Sequence, residues 1–176
     1  MPAAGPRFGE GQQQACAIPT IAMPTRPASS DTVRVSPDSW RQAVRSAWHT
    51  AGSRLTEPRA RVLDAITRYQ TPFSTEQLYA DLGHSGSPPG RATVYRTIEQ
   101  LSGAGWLARI HTQAGEAGYV PSLPGHLHHL VCTSCGVVVA FQGCALDDLL
   151  ASIASQTDFA IEGHLLQLYG RCANCK

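Results

Sequence analysis

Arg91-Ala92-Thr93-Val94-Tyr95-Arg96-Thr97-Ile98 opens a helix whose surroundings decide the fold. Val94, Ile98 and Leu101 recur at the i, i+4, i+7 spacing that turns one face inward. Arg91, Tyr95, Arg96 and Gln100 fall on the outer face, and Gly103 and Gly105 stop the helix. Just upstream, Gly83 to Gly90 is a Gly/Pro/Ser loop. Before it, Ser74-Thr75-Glu76-Gln77 reads as a capping box that starts a short helix carrying Leu78 and Leu82. Further back, after the cap Thr56 and with Pro58 in the first turn, Val62, Leu63, Ile66 and Tyr69 form the stripe of another helix. Downstream, Trp106 to Thr112 alternates as a strand, Gln113 to Gly118 makes a turn, and Tyr119-Val120 returns.

Three short helices followed by a β-hairpin is the winged helix-turn-helix order, in which the last helix can enter a major groove and the hairpin is the wing. On that reading Tyr95 touches a thymine methyl or a phosphate, while Arg91 and Arg96 clamp phosphates. The plainer alternative is a solvated helix face. A helix from about Ser39 to Ala51, with Trp40, Val44 and Trp48 on one face, precedes this unit. Residues 1–37 are rich in Pro, Gly, Gln, Ser and Thr and read as a disordered tail.

The other end of the chain carries metal chemistry. Cys132-x-x-Cys135 and Cys172-x-x-Cys175 are two turns that can close a four-thiolate tetrahedron around one structural zinc ion. Two disulfides, or one redox pair plus coincidence, are the alternatives. The N-terminus shows no secretory pattern and no apolar run reaches the roughly 18–20 residues of a membrane span. A cytoplasmic, reducing location follows, where thiolates bind metal. Cys16 and Cys144 lie outside both pairs and read as a tail thiol and an ordinary small residue.

The net charge of +1 hides a division. Residues 38–110 hold nine arginines against six acids, whereas residues 111–176 hold two bases against five acids. A basic front half and an acidic, His/Cys-rich back half suit polyanion contact and metal binding respectively. In the back half, His128 to Val131 and Val137 to Phe141 read as strands around the first Cys pair. Leu146, Leu149, Leu150 and Ile153 mark an amphipathic helix with Asp147 and Asp148 in its first turn. Phe159 to Tyr169 alternates as a third strand. Three strands and one helix make a thin core that needs a metal staple and a partner surface. The expected class is therefore α+β: an N-terminal winged helix-turn-helix domain over 38–121, then a small α/β dimerisation domain with a four-cysteine zinc site over 122–176.

The string Arg91 to Thr97, the run His126-Leu127-His128-His129, Cys132-x-x-Cys135-Gly136, His164 and Leu168-Tyr169-Gly170-x-Cys172-x-x-Cys175 together resemble the ferric uptake regulator family. The resemblance covers about residues 40–176. It implies a homodimeric, metal-dependent repressor that binds an operator DNA duplex, with Arg91, Thr93, Tyr95 and Arg96 on the reading helix. His126 and His128 lie on one side of a strand. With Asp147 and His164 they match the family's interface metal site, which suits zinc or iron(II) as the second divalent metal. His129 matches a ligand of the family's sensing site. The usual partners of that ligand are replaced by Leu127, Val120 and Pro72, so His111, Glu116 and His84 stand as candidate donors. The oxygen-rich surroundings that an iron or peroxide sensor needs are missing from the usual places, which favours zinc over iron.

The expected function is a repressor that senses a divalent metal and controls metal-homeostasis genes. A peroxide-sensing repressor of the same family is the alternative. A zinc-dependent enzyme would need an open coordination position and a nearby base, and no His-Glu-x-x-His pattern is present. No membrane or small-molecule substrate is expected as a partner. A zinc-ribbon interaction module is the remaining, blander reading.

Overall fold

Helix α1 (Pro37–Thr50) begins where a local cap is available: Ser36 Oγ accepts from the Ser39 backbone N–H, and Pro37 occupies the first helical position, where no N–H is needed. The structure is a computed structural model that describes residues 32–33, 35–84, 88–112, 117–143 and 145–176. Helix α2 (Glu57–Ile66) follows Thr56, and α3 (Thr75–Gly83) follows Ser74, whose Oγ accepts from Gln77 N at 3.0 Å. Helix α4 spans Arg91–Gly103. Trp40, Val44, Leu63, Ile66, Leu78, Val94, Ile98 and Leu101 meet in one buried cluster, so each apolar stripe read from the sequence faces the same core.

Strands β2 (Leu107–His111) and β3 (Ala117–Pro121) pair antiparallel as the wing. The turn between α2 and α3 is stitched to it: Phe73 and Tyr119 exchange backbone hydrogen bonds of 3.1 and 2.8 Å. Gly118 makes this approach possible, because a Cβ there would stand 2.8 Å from Pro72 Cβ. The wing tip, residues 113–116, lies outside the described residues, and so does Glu116.

Strand β4 (His128–Cys132) pairs antiparallel with β5 (Val138–Phe141) and parallel with β6 (Gln167–Gly170). Helix α5 (Asp147–Thr157) connects β5 to β6. A short strand β1 (Thr32–Val33) adds to the outer edge of β5, giving the order β1-β5-β4-β6. One face of the sheet packs on the wing, where Val131 joins Ile110 and Val120.

Two expectations change. The stretch read as tail ends earlier than residue 37: Thr32 and Val33 are β-branched and find the free edge of β5, and Ser36 caps α1. Residues 1–31 lie outside the described residues, Cys16 among them, as does Cys144. The third C-terminal strand is four residues long rather than running from Phe159. Residues 159–166 alternate in hydropathy but form no ladder among the described residues; Leu166 O alone accepts from β4, at His129 N.

Candidate metal centres and nucleic-acid interface

The parallel pairing of β4 and β6 brings the two cysteine turns together. Both strands run out at the same end of the sheet, β4 at Cys132 and β6 at Gly170, two residues before Cys172. Each turn is closed locally: Gly136 N donates to Cys132 O and Cys175 N to Cys172 O, both at 2.9 Å. Gly136 takes a φ of +74°, which a side chain resists. The four sulfurs lie within 4.8 Å of one another, and Cys135 Sγ is 3.8 Å from Cys172 Sγ. A tetrahedron with Zn–S bonds of about 2.3 Å has edges of about 3.8 Å, so the donor set fits zinc. Backbone N–H groups already favour thiolate here. That of Cys172 donates to Cys132 Sγ at 3.3 Å, and with those of Cys135 and Ser134 it brings the Cys132 thiol down to about 6.

A second cluster forms beside the start of β4. The rings of His126 and His128 are 4.6 Å apart, those of His126 and His164 4.8 Å, and those of His128 and His164 5.3 Å. Their ligand nitrogens lie within 4.8 Å of one another. His128 is only 1% exposed, and its Nε2 has no hydrogen-bond partner. A buried ring nitrogen left in that state is costly, and a metal ion is the partner that would satisfy it. Burial first, then the neighbouring His126 and His164, hold the His128 imidazole below its ordinary range, in the neutral form a metal requires. Asp147, expected as a fourth ligand, begins α5 and does not belong to this converging group. Its place in a helix first turn has its own electrostatic reason.

The residues expected around a sensing ion do not converge in the same way. His129 is buried on the sheet face that meets the wing, opposite Ala140 and beside Gln167, and its Nε2 also lacks a partner. His111 ends β2 with its side chain exposed, while its backbone is tied to β6. His111 N donates to Gln167 Oε1 at 3.1 Å, and Gln167 Nε2 and Tyr169 Oη donate to His111 O. His84 follows α3 and is exposed. Neither of the two ligand groups found among the described residues contains His84, His111 or His129.

On α4, Arg91, Thr93, Tyr95 and Arg96 stand on or beside the outer face, with Arg91 and Arg96 exposed and Thr93 and Tyr95 half-buried. Two partners escaped the sequence reading. Glu76, read only as part of a cap, accepts from Tyr95 Oη at 2.8 Å, and Tyr79 lies against the Arg91 guanidinium. A third is Trp40, whose indole N–H donates to Trp106 O at 3.0 Å and Ser122 O at 2.9 Å, pinning the start of the segment that leads from the wing to β4. Contacts between residues so far apart in the chain carry no local signal.

A winged helix joined to a sheet that carries thiolate and imidazole clusters defines the class as metal-responsive transcription regulators. Residues 50–169 match the ferric uptake regulator family. The chain is 36% identical over 129 residues to the ferric uptake regulation protein of Vibrio anguillarum, covering 72% of this chain and 87% of that protein. Two solved structures share the fold. A zinc uptake regulator complexed with zinc and DNA aligns over 80% of this chain and 95% of that chain, at 20% identity and a TM-score of 0.64. A ferric uptake regulator from Francisella tularensis with iron aligns over 70% and 95%, at 25% identity and a TM-score of 0.51. The chain belongs to the ferric uptake regulator family; it is a transcription regulator and not an enzyme. No helix among the described residues is long and apolar enough to cross a membrane.

Proposed function

We propose that this chain is a homodimeric, zinc-responsive repressor that binds operator DNA through α4 and controls metal-homeostasis genes in the cytoplasm. The observation that carries the metal response is the trio His126, His128 and His164, with the orphaned, buried Nε2 of His128 at its centre. Cys132, Cys135, Cys172 and Cys175 hold a structural zinc, and the trio holds the regulating ion. Neither group contains an oxygen donor. Sulfur and imidazole donors without carboxylates favour zinc over iron, and they disfavour the oxygen-rich iron site that peroxide sensing uses. The partner is a second copy of this chain. Helix α5 has no buried residue, Leu149, Ile153, Phe159 and Leu165 are exposed, and β6 is an edge of the sheet among the described residues. Residues 38–121 are the DNA-binding domain and 122–176 the dimerisation domain.

The geometry suggests how the ion acts. Trp40 grips Ser122 at one end of the linking segment, and His126 stands at the other. An ion shared by His126 and His164 would hold that segment, and with it the angle at which two α4 helices face successive major grooves, about 34–36 Å apart. A preference of about 3 kcal/mol for the held state corresponds to roughly a hundredfold in DNA affinity. The buried, unpartnered Nε2 of His129, on the sheet face that meets the wing, supports a second position for the regulating ion.

The test is metal analysis of the purified chain, followed by DNA binding titrated with zinc and with iron(II). The DNA is a duplex selected by the zinc-loaded protein from a random pool. Two zinc per chain and zinc-dependent binding are expected. His164→Ala should drop one zinc, keep the fold and lose the response. If His164→Ala responds normally while His111→Ala and His129→Ala do not, the regulating ion sits at the wing. Activation by iron(II) with no effect of zinc would overturn the metal assignment.

A further inference from the structure

The outer face of α4 is not a row of free side chains. Tyr95 Oη lies 2.8 Å from Glu76 Oε1 on α3 and 2.9 Å from Arg91 Nη2 one turn earlier on α4. A guanidinium has only donors, so the tyrosine oxygen accepts from Arg91. The single hydroxyl proton then goes to the Glu76 carboxylate. The guanidinium carbon stands 5.7 Å from the Tyr79 ring centre and 5.1 Å from that of Tyr95, so two aromatic faces flank the cation. The carboxylate is the member of this chain that DNA phosphates would repel. Its bond from Tyr95, followed by its own backbone N–H and the charge of Arg91, holds Glu76 below the usual carboxylate range, which keeps it charged and accepting.

We propose that Glu76 and Tyr79 are positioning residues of the DNA interface: they hold Arg91 and Tyr95 in one preset arrangement, so that Arg91 meets the duplex as a fixed donor and Tyr95 takes part through its ring rather than its hydroxyl proton. The inference rests on the DNA-binding reading above. Its physical content is pre-organisation. A free arginine loses its rotamer freedom when it binds, whereas one already flanked by two rings and bonded to a hydroxyl loses less. Arg91 has further N–H donors beyond the one given to Tyr95, and these are what it can offer a phosphate or a guanine edge. Removing the carboxylate frees the tyrosine proton and loosens the arginine, although Glu76 itself touches no DNA.

The experiment compares zinc-loaded wild type, Glu76→Ala, Tyr79→Leu, Arg91→Ala and the Glu76→Ala/Arg91→Ala double variant. Each is titrated with the selected duplex and with an unselected duplex of the same length and composition, at several salt concentrations. Glu76→Ala and Tyr79→Leu should each weaken the selected duplex roughly tenfold. Glu76→Ala should leave the unselected duplex unchanged or bound slightly tighter, since a negative charge has gone. In the Arg91→Ala background, adding Glu76→Ala should cost clearly less, because of the two groups it positions only Tyr95 remains. Zinc content and the helical circular dichroism signal verify the fold, and Glu76 is exposed. An equal loss from Glu76→Ala with and without Arg91 would show a purely structural role and overturn the proposal. Tighter binding of both duplexes by Glu76→Ala would also overturn it, leaving Glu76 as a repelling charge. If wild type bound no duplex at all, the DNA-binding reading would fall first.

Discussion

The two halves of this chain reach stability by different routes. In the winged helix, Trp40, Val62, Leu63, Ile66, Phe73, Leu78 and Leu101 are fully buried, and helices and wing close one core within a single chain. In the other half, no residue of α5 is fully buried, Phe159 and Leu165 are each 73% exposed, and the residues between α5 and β6 form no ladder among the described residues. On the proposed reading the first half is held by apolar burial, the second by metal and by a second copy. The lesson is that metal supply can set the fold and assembly of one half while leaving the other intact, which is the asymmetry a metal-responsive regulator needs.

Breaking the four-cysteine cluster tests this most severely. A structural zinc contributes on the order of 10 kcal/mol, and binding free energy is folding free energy. Cys172→Ser, or a strong chelator, should remove one zinc, unfold residues 122–176 and dissociate the dimer. All three tryptophans, Trp40, Trp48 and Trp106, lie in the other half, so their fluorescence should keep a cooperative urea transition even as Trp40 loses its bond to Ser122 O. A tryptophan signal that collapsed together with the zinc would erase the distinction between the halves.

A matched pair of truncations sharpens the contrast at intermediate size. Leu63→Ala removes a fully buried side chain and should lower the stability read by tryptophan fluorescence by about 2–5 kcal/mol, with no zinc lost. Leu149→Ala removes one that is 54% exposed in the single chain. It should leave that transition unchanged and instead raise the dimer dissociation constant roughly tenfold, by the usual cost of losing an interface contact. Sedimentation equilibrium reads the second effect. Unchanged dimerisation would place the partner surface elsewhere on the chain.

The smallest effect is that of pH on the metal-free protein. His128 and His129 are both held below their ordinary value of 6.5, by burial first and by neighbouring histidines second. Below 6.5 the unfolded chain takes up protons at these positions that the folded chain resists. Their contribution to stability is therefore present above about pH 6.5 and lost as the pH falls below it. Urea unfolding of the chelated protein at pH 7.5 and 5.5, followed by circular dichroism of the sheet, should show the C-terminal half weaken at the lower pH. A more stable sheet at pH 5.5 would contradict the burial of these imidazoles.

How much could be read in advance follows the distance over which each feature is decided. The cap at Ser74, the glycine Gly105 just past α4 and the Cys-x-x-Cys turns are settled within a few residues, because a cap or a turn is made by its own neighbours, whereas Thr56 precedes α2 without a side-chain cap bond. The apolar stripes of α1 to α4 were legible for the same reason: a helix repeats every 3.6 residues whatever it packs on. The three histidines were identified from spacing and resemblance together. What the chain by itself determined was thus a winged helix, a thiolate cluster and a group of imidazoles. Tertiary structure alone decided that β4 and β6 run parallel, so that both cysteine turns end at one place. It also decided that β6 is short, that Thr32 and Val33 cover β5, that the converging group is His126, His128 and His164 without Asp147, and that Glu76 holds Tyr95. Each of these depends on which distant backbone edge or side chain is left unsatisfied once the core has closed, and no local pattern carries that information.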